Sequence, residues 1–293
     1  ASGMSRVFFT NSGTEAIEGA IKAVRKYAWL KDGKHDHEII AMNHSFHGRS
    51  TGALALTGNE KYQEPFRPLM NGVVFADYND LESVLSKVNE NTCAIVIETV
   101  QGEGGIHPAK EEFIKGIRKI CDEKDILMIC DEIQCGMGRC GSMYAYQRSG
   151  VMPDVVTTAK ALGCGVPVGA FLTRGKTNEV LVAGDHGSTY GGNPLVCAAV
   201  SKVFDIMEEK QILAHVNEVA PYLSQTLLKL KEKCPHIVEC RGMGLMQGIE
   251  FDIPVGPIIQ KAMDAGLILI SAGANTIRFL PPLIVEKEHI DEM

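Results

Sequence analysis

From its first residues the chain alternates short apolar runs with longer stretches whose hydrophobic positions recur at helical spacing. Val7 to Thr10 reads as a strand, and Thr14 to Leu30 as the helix that follows it. Glu38 to Met42, Val73 to Ala76, Ala94 to Thr99, Ile126 to Asp131 and Asp154 to Ala159 read as further strands, with helices near Leu81 to Val88 and Glu111 to Glu123 between them. Alternation of this kind builds an α/β fold around a mainly parallel sheet. Strands buried on both faces are apolar throughout, the character of Ala94-Ile95-Val96-Ile97 and Ile126-Leu127-Met128-Ile129-Cys130. The pattern shifts after Gly192. Asn193-Pro194 starts a long helix, with Asn as cap and Pro in the first turn, and a second amphipathic helix spans about Gln211 to Lys233. Ile237 to Arg241, Leu245 to Phe251, a helix near Gly256 to Ala265, Leu267 to Ser271 and Ile277 to Leu280 follow. The chain therefore divides into a large domain, 1–209, and a smaller C-terminal α+β domain, 210–293.

Composition narrows the class. With 293 residues, 45% hydrophobic and 22% charged, the chain can bury a large core. The net charge of −7, without a Lys/Arg stripe bearing interleaved aromatics, argues against a nucleic-acid surface. No apolar stretch approaches the roughly eighteen residues of a spanning helix, so no membrane partner is expected. Nine cysteines, odd in number and mostly in apolar runs, read as free thiols of a reducing cytoplasm. Cys130, Cys135 and Cys140 form no CxxC pair, and His35, His37, His44 and His47 lie in a polar stretch without arranged carboxylates. No metal is expected, and these histidines read as solvated or turn-stabilising. The chain opens on Ala1 rather than Met and stops where a helix begins at Ile290, which reads as a longer protein cut at both ends.

Several segments could carry chemistry. Asn11-Ser12-Gly13-Thr14-Glu15 sits between the first strand and first helix. It reads equally as a capping box, Ser12 with Glu15, and as an anion site at a helix start. Asp131 ends an apolar strand, where open α/β sheets bind ligands. Lys160 follows the strand Asp154 to Ala159 beside a glycine-rich turn. Most lysines are surface solubilisers, but one held in apolar surroundings becomes an amine nucleophile. With Asp131 it could serve a Schiff-base cofactor whose ring nitrogen needs an anion. Phe46 and Arg49 offer an aromatic face and a bidentate carboxylate binder. Arg278, a cation within the apolar strand Ile277 to Leu280, needs a carboxylate partner, and Glu103 is one candidate.

Together NSGTEA (11–16), SFHGR (45–49), ETVQGEGG (98–105), DEIQ (131–134), TTAKALG (157–163), HGSTYGGNP (186–194) and IRFLPPL (277–283) run in order over nearly the whole chain. In this set the sequence resembles the class III, pyridoxal-phosphate-dependent ω-aminotransferases. The resemblance implies fold-type-I architecture, pyridoxal 5′-phosphate as cofactor, and ping-pong transfer of an amino group from an ω-amine to a 2-oxo acid. It implies a Schiff base on Lys160, pairing of Asp131 with the pyridine nitrogen, Gln134 near the ring's phenolic oxygen and Phe46 stacked on the ring. Gly13 and Thr14, with Ser12, would hold the phosphate, and Thr189 would reach the phosphate of the neighbouring subunit in a homodimer, with Ser188 at the substrate edge. Arg278 would bind glutamate's α-carboxylate and Arg49 the distal carboxylate of either substrate. Glu103 would neutralise Arg278 when the ω-amine enters, because a buried unpaired guanidinium costs several kcal/mol.

Two cysteines depart from the family's habit, Cys135 after DEIQ and Cys164 after Lys160; neither is expected to touch a residue assigned a chemical role. GMGRCG at 136–141 and AKALGCGVPVGAF at 159–171 favour the branch acting on N2-acetylornithine. Ornithine, 4-aminobutyrate or succinylornithine transamination, and an aminomutase or racemase using the same cofactor, are the alternatives.

Overall fold

The strands anticipated from apolar runs assemble into a seven-stranded sheet in the computed structural model, which describes residues 1–293. In chain order the elements to residue 108 are β1 (Arg6–Thr10), α1 (Gly13–Asp32), β2 (Glu38–Met42), α2 (Thr51–Leu56), α3 (Glu60–Gln63), β3 (Val73–Ala76), α4 (Leu81–Lys87), β4 (Thr92–Glu98), β5 (Val100–Gln101) and β6 (His107–Pro108). Next come α5 (Glu111–Lys124), β7 (Leu127–Asp131), β8 (Val155–Thr158), β9 (Gly169–Thr173), α6 (Pro194–Glu209) and α7 (Ile212–Lys233). The chain ends with β10 (Ile237–Met243), β11 (Met246–Phe251), α8 (Gly256–Asp264), β12 (Ile270–Ala272), β13 (Thr276–Phe279) and α9 (Lys287–Glu292). The large sheet has the order β1-β9-β8-β7-β4-β2-β3, and β9 alone runs against the rest. A second, antiparallel sheet has the order β10-β11-β13-β12.

Two apolar layers cover the large sheet. Ala94, Val96, Leu127 and Ile129 pack with Ile17, Ala20 and Val24 of α1, whereas Ile95, Ile97, Met128 and Cys130 pack with Phe113, Ile114 and Ile117 of α5. Successive strand residues thus bury opposite faces, which is why these strands are apolar without interruption. The α5-side cluster continues into Val216 and Leu223 of α7 and Ile249 and Phe279 of the small sheet, so one core joins both sheets.

β9 escaped the pattern because it begins in a glycine-rich stretch that reads as a turn. Gly169 has a structural reason: a Cβ there would lie 2.3 Å from the carbonyl oxygen of Ser12, so only glycine lets β9 approach the start of α1. The expected capping box is also modified. Ser12 Oγ accepts from the Glu15 amide at 3.3 Å, but the Glu15 carboxylate turns to the Asn11 amide at 2.8 Å and side chain at 2.9 Å. The amides of Ser12, Gly13 and Thr14 are left without a protein acceptor at the start of a 20-residue helix.

Candidate active site

Strands β4, β7 and β8 run parallel and release the chain at one edge of the sheet, delivering Glu98, Asp131 and, two residues beyond Thr158, Lys160 to the same place. A cavity of about 520 Å³ opens there. Ser12, Gly13, Thr14, Phe46, Arg49, Asp131, Gln134 and Lys160 all line it, so the structure gathers eight residues drawn from four separate segments of sequence.

Asp131, 3% exposed, is heavily bonded. Oδ1 accepts from the Ile133 amide at 3.0 Å and Thr157 Oγ1 at 3.1 Å, while Oδ2 meets His47 Nδ1 at 2.7 Å. His47 corrects the sequence reading: it is 1% exposed rather than solvated, and its Nε2 is buried without a partner. Burial opposes its protonation, yet the Asp131 hydrogen bond and the charges of Asp131 and Glu98 prevail and raise its pKa. His37 is likewise buried, bonded to Asp32 at 3.0 Å. The neighbouring carboxylate Glu132 turns away from the cavity and accepts from Thr99 Oγ1 and the Ala145 amide at 2.6 Å and the Tyr146 amide at 3.0 Å. It fixes the turn after β7, and burial pushes its pKa up to about 7.

Lys160 is exposed to the cavity and makes no ion pair or side-chain hydrogen bond, so its amine is free to meet a ligand. It does not sit in apolar surroundings. Its φ of +46° places a side-chain-bearing residue in the left-handed region, a strain that native structures keep where geometry at a site demands it.

Two guanidiniums stand near the cavity in opposite states: Arg49 lines it, whereas Arg278 and Glu103 lie outside its lining and meet it through Gln134. Arg49 carries no carboxylate partner and lies over the rings of Phe46 at 5.4 Å and Tyr62 at 5.6 Å. Arg278, on β13 and 8% exposed, is closed: Nη1 donates to Glu103 Oε1 at 2.6 Å and Gln134 Oε1 at 2.8 Å. Arg241, which sequence reasoning missed, holds the loop carrying Glu103 by donating from Nε to the Gly105 carbonyl at 2.8 Å.

Glu98 was also missed as an individual residue. Buried at 4% exposure, it lines the cavity and accepts from the amides of Phe46 and Gly102. Burial raises its pKa to about 7; His47 opposes the rise and Asp131 adds to it. Its signal was a carboxylate closing an otherwise unbroken apolar strand.

Ser188 and Thr189 do not join the Lys160 cavity. They line a separate one of about 350 Å³ with Glu15, Glu18 and Tyr190. No group of three or more His, Cys, Asp or Glu side chains forms a metal-holding cluster, and all nine cysteines are free, with Cys164 exposed. No helix is long and apolar enough to cross a membrane.

Comparison with known proteins places this geometry. The family profile described as aminotransferase class-III matches residues 1–293. An acetylornithine aminotransferase of Clostridium acetobutylicum is 50% identical over 288 residues, 98% of this chain and 74% of that protein. Another from Methanocaldococcus jannaschii is 46% identical over 292 residues, 100% and 73% of the two chains. The crystal structure of the ornithine aminotransferase from Toxoplasma gondii superposes with a TM-score of 0.95 at 30% identity, covering 99% of this chain and 71% of that one. That of N-acetylornithine aminotransferase from Stenotrophomonas maltophilia gives 0.84 at 34% identity, covering 99% and 72%. The chain, matched along its entire length, belongs to the class-III aminotransferases.

Proposed function

We propose that the protein transfers the δ-amino group of N2-acetylornithine to 2-oxoglutarate, giving N-acetylglutamate 5-semialdehyde and glutamate, with pyridoxal 5′-phosphate as cofactor. The observation that carries the substrate reading is the pairing state of the two arginines. Arg49 stands open for a carboxylate, while Arg278 is closed by Glu103 at 2.6 Å. An ω-amine brings one carboxylate at its far end, which Arg49 receives while Arg278 stays paired. Glutamate and 2-oxoglutarate bring two, and their α-carboxylate displaces Glu103 from Arg278.

The cavity's donors suit the cofactor group by group. The three unpartnered amides of Ser12, Gly13 and Thr14, at the positive end of α1, fit a phosphate. Asp131 fits a protonated ring nitrogen, with His47 and Thr157 holding its carboxylate in place. Phe46 would offer the ring a face, and Gln134 would lie near its phenolic oxygen. When bound, pyridoxal phosphate supplies a carbonyl carbon for the amine and a ring that draws electrons from the carbon losing its proton. Lys160 Nζ would hold the cofactor and, when free, would take the proton from the substrate carbon that bears the amine and return it at the other end of the transfer.

A second copy of the chain completes the site in this reading. Thr189 lies outside the Lys160 cavity, on a segment whose Tyr190 and Leu195 are 71% and 74% exposed, which suits a homodimer in which Thr189 serves the neighbour's phosphate. The large and small domains meet near residues 209 and 210, between α6 and α7. Nine free thiols fit a cytoplasmic setting.

Ornithine is the second reading, favoured by the fold match to the Toxoplasma enzyme. The higher identity to acetylornithine aminotransferases weighs against it. Exchange of isotope-labelled amino groups between glutamate and N2-acetylornithine tests the reaction class. Label appearing in both is expected; retention of label in glutamate alone would point to an aminomutase or racemase.

A further inference from the structure

Glu98 has no part in the chemistry assigned to Lys160, Asp131 or the two arginines, yet it stands in the same cavity. Each of its oxygens holds a different loop. Oε2 accepts from the Phe46 amide at 3.1 Å, and Oε1 from the Gly102 amide at 3.3 Å. The first loop carries Arg49 three residues on; the second carries Glu103, the partner of Arg278, one residue on. The second attachment is close-packed as well. A Cβ on Gly102 would lie 2.2 Å from Gln134 Oε1, the atom that accepts the other Arg278 bond.

One carboxylate at the end of β4 therefore anchors the loop of Arg49 and, through Gly102 packed against Gln134, the side chain that keeps its bond to Arg278 when Glu103 is displaced. Backbone amides bound to a buried carboxylate form stronger bonds than neutral pairs, and they fix loop position rather than side-chain rotamer. We propose that Glu98 is a positioning residue that sets the separation of Arg49 and Arg278, and so selects the chain length of the dicarboxylic substrate. The proposal rests on the reading of both arginines as carboxylate receivers. A site that grips two carboxylates at once is sensitive to their spacing, whereas a monocarboxylate on Arg49 is not. A shift of about 1 Å between the stations suffices to lose most of a bidentate ligand's advantage.

The test is equilibrium binding to the cofactor-loaded protein, by calorimetry, of succinate, glutarate and adipate, with pentanoate as the single-carboxylate control. Wild type is expected to prefer glutarate, which matches the five-carbon frame of 2-oxoglutarate. Glu98→Gln replaces one acceptor oxygen with an NH2 group that faces an amide donor. It is expected to cut the glutarate preference about tenfold while pentanoate binding changes less than about twofold. Glu98→Asp keeps the charge but is one methylene short of reaching both loops; it should behave alike and serves where the amide variant fails to fold. Unchanged length preference in a folded variant overturns the proposal, as does an equal loss for all four ligands, which marks a merely structural role. A wild-type protein without any dicarboxylate preference overturns the two-arginine reading itself, a result distinct from failure of the Glu98 variants.

Discussion

Glu98 and Asp131 occupy partnered positions at the ends of the parallel strands β4 and β7, so two buried carboxylates stand side by side beneath the cavity. Neighbouring carboxylates resist double ionisation in a low-dielectric site. The molecule resolves the conflict asymmetrically: Asp131 receives His47, Thr157 and an amide, whereas Glu98 receives two amides.

That asymmetry has a pH signature. Glu98 titrates near about 7 in the folded chain against an ordinary 4.5, so the folded state holds its proton more tightly. Its contribution to stability is present in full below the unfolded value and is lost as pH rises through about 7. The melting temperature of wild type should therefore fall, relative to that of Glu98→Gln, between pH 5 and pH 8. Glu132 shifts the same way but remains in both proteins, so the difference reads Glu98 together with its charge coupling to His47. Parallel melting profiles would contradict the assignment.

His47 is expected to support Asp131 rather than contact substrate. A buried hydrogen bond to a charged group contributes about 1.5–3 kcal/mol. His47→Ala should lose roughly that much in urea unfolding, and cofactor affinity should drop with it because Asp131 loses its 2.7 Å partner. Stability equal to wild type would show that the pair carries nothing.

Gly169 tests the link between fold and site. Alanine there must push the carbonyl of Ser12 away from a 2.3 Å collision, an overpacking that costs about 1–3 kcal/mol. Gly169→Ala should bind both pyridoxal phosphate and free phosphate more weakly, since the Ser12, Gly13 and Thr14 amides move together. A destabilised protein with unchanged phosphate affinity would separate packing from binding.

For the arginine pair, Glu103→Gln leaves Arg278 without its counter-charge whenever no α-carboxylate is present. Single-turnover kinetics should show the ω-amine half-reaction slowed about 10- to 100-fold and the glutamate half-reaction largely spared. Equal loss in both directions would sink the switching role.

Lys160→Ala should abolish the visible-range absorption band of lysine-bound cofactor that wild type displays, while retaining cofactor through the phosphate and Asp131 contacts. A band persisting in the variant would place the anchoring amine elsewhere.

What the sequence disclosed about this site follows from where the physics is local. Asp131 and Lys160 end or follow apolar strands, and the sheet rule alone carries them to one edge. Arg278 was legible as a cation in an apolar strand that needs an anion, and Glu103 lies 2.6 Å from it. His47 was misread because its neighbours in sequence are polar; its burial comes from Asp131, 84 residues away. β9 stayed hidden because Gly169 answers to Ser12, a contact between distant segments. Glu98 was quoted within a motif, but its two amide donors lie in loops that only the folded chain brings together.

Amino transfer from N2-acetylornithine to 2-oxoglutarate is checked by comparing kcat/KM for N2-acetylornithine and ornithine as donors to 2-oxoglutarate with the cofactor-loaded protein. N2-acetylornithine should lead by about tenfold or more. A preference for ornithine, or no transfer from either donor, would contradict it.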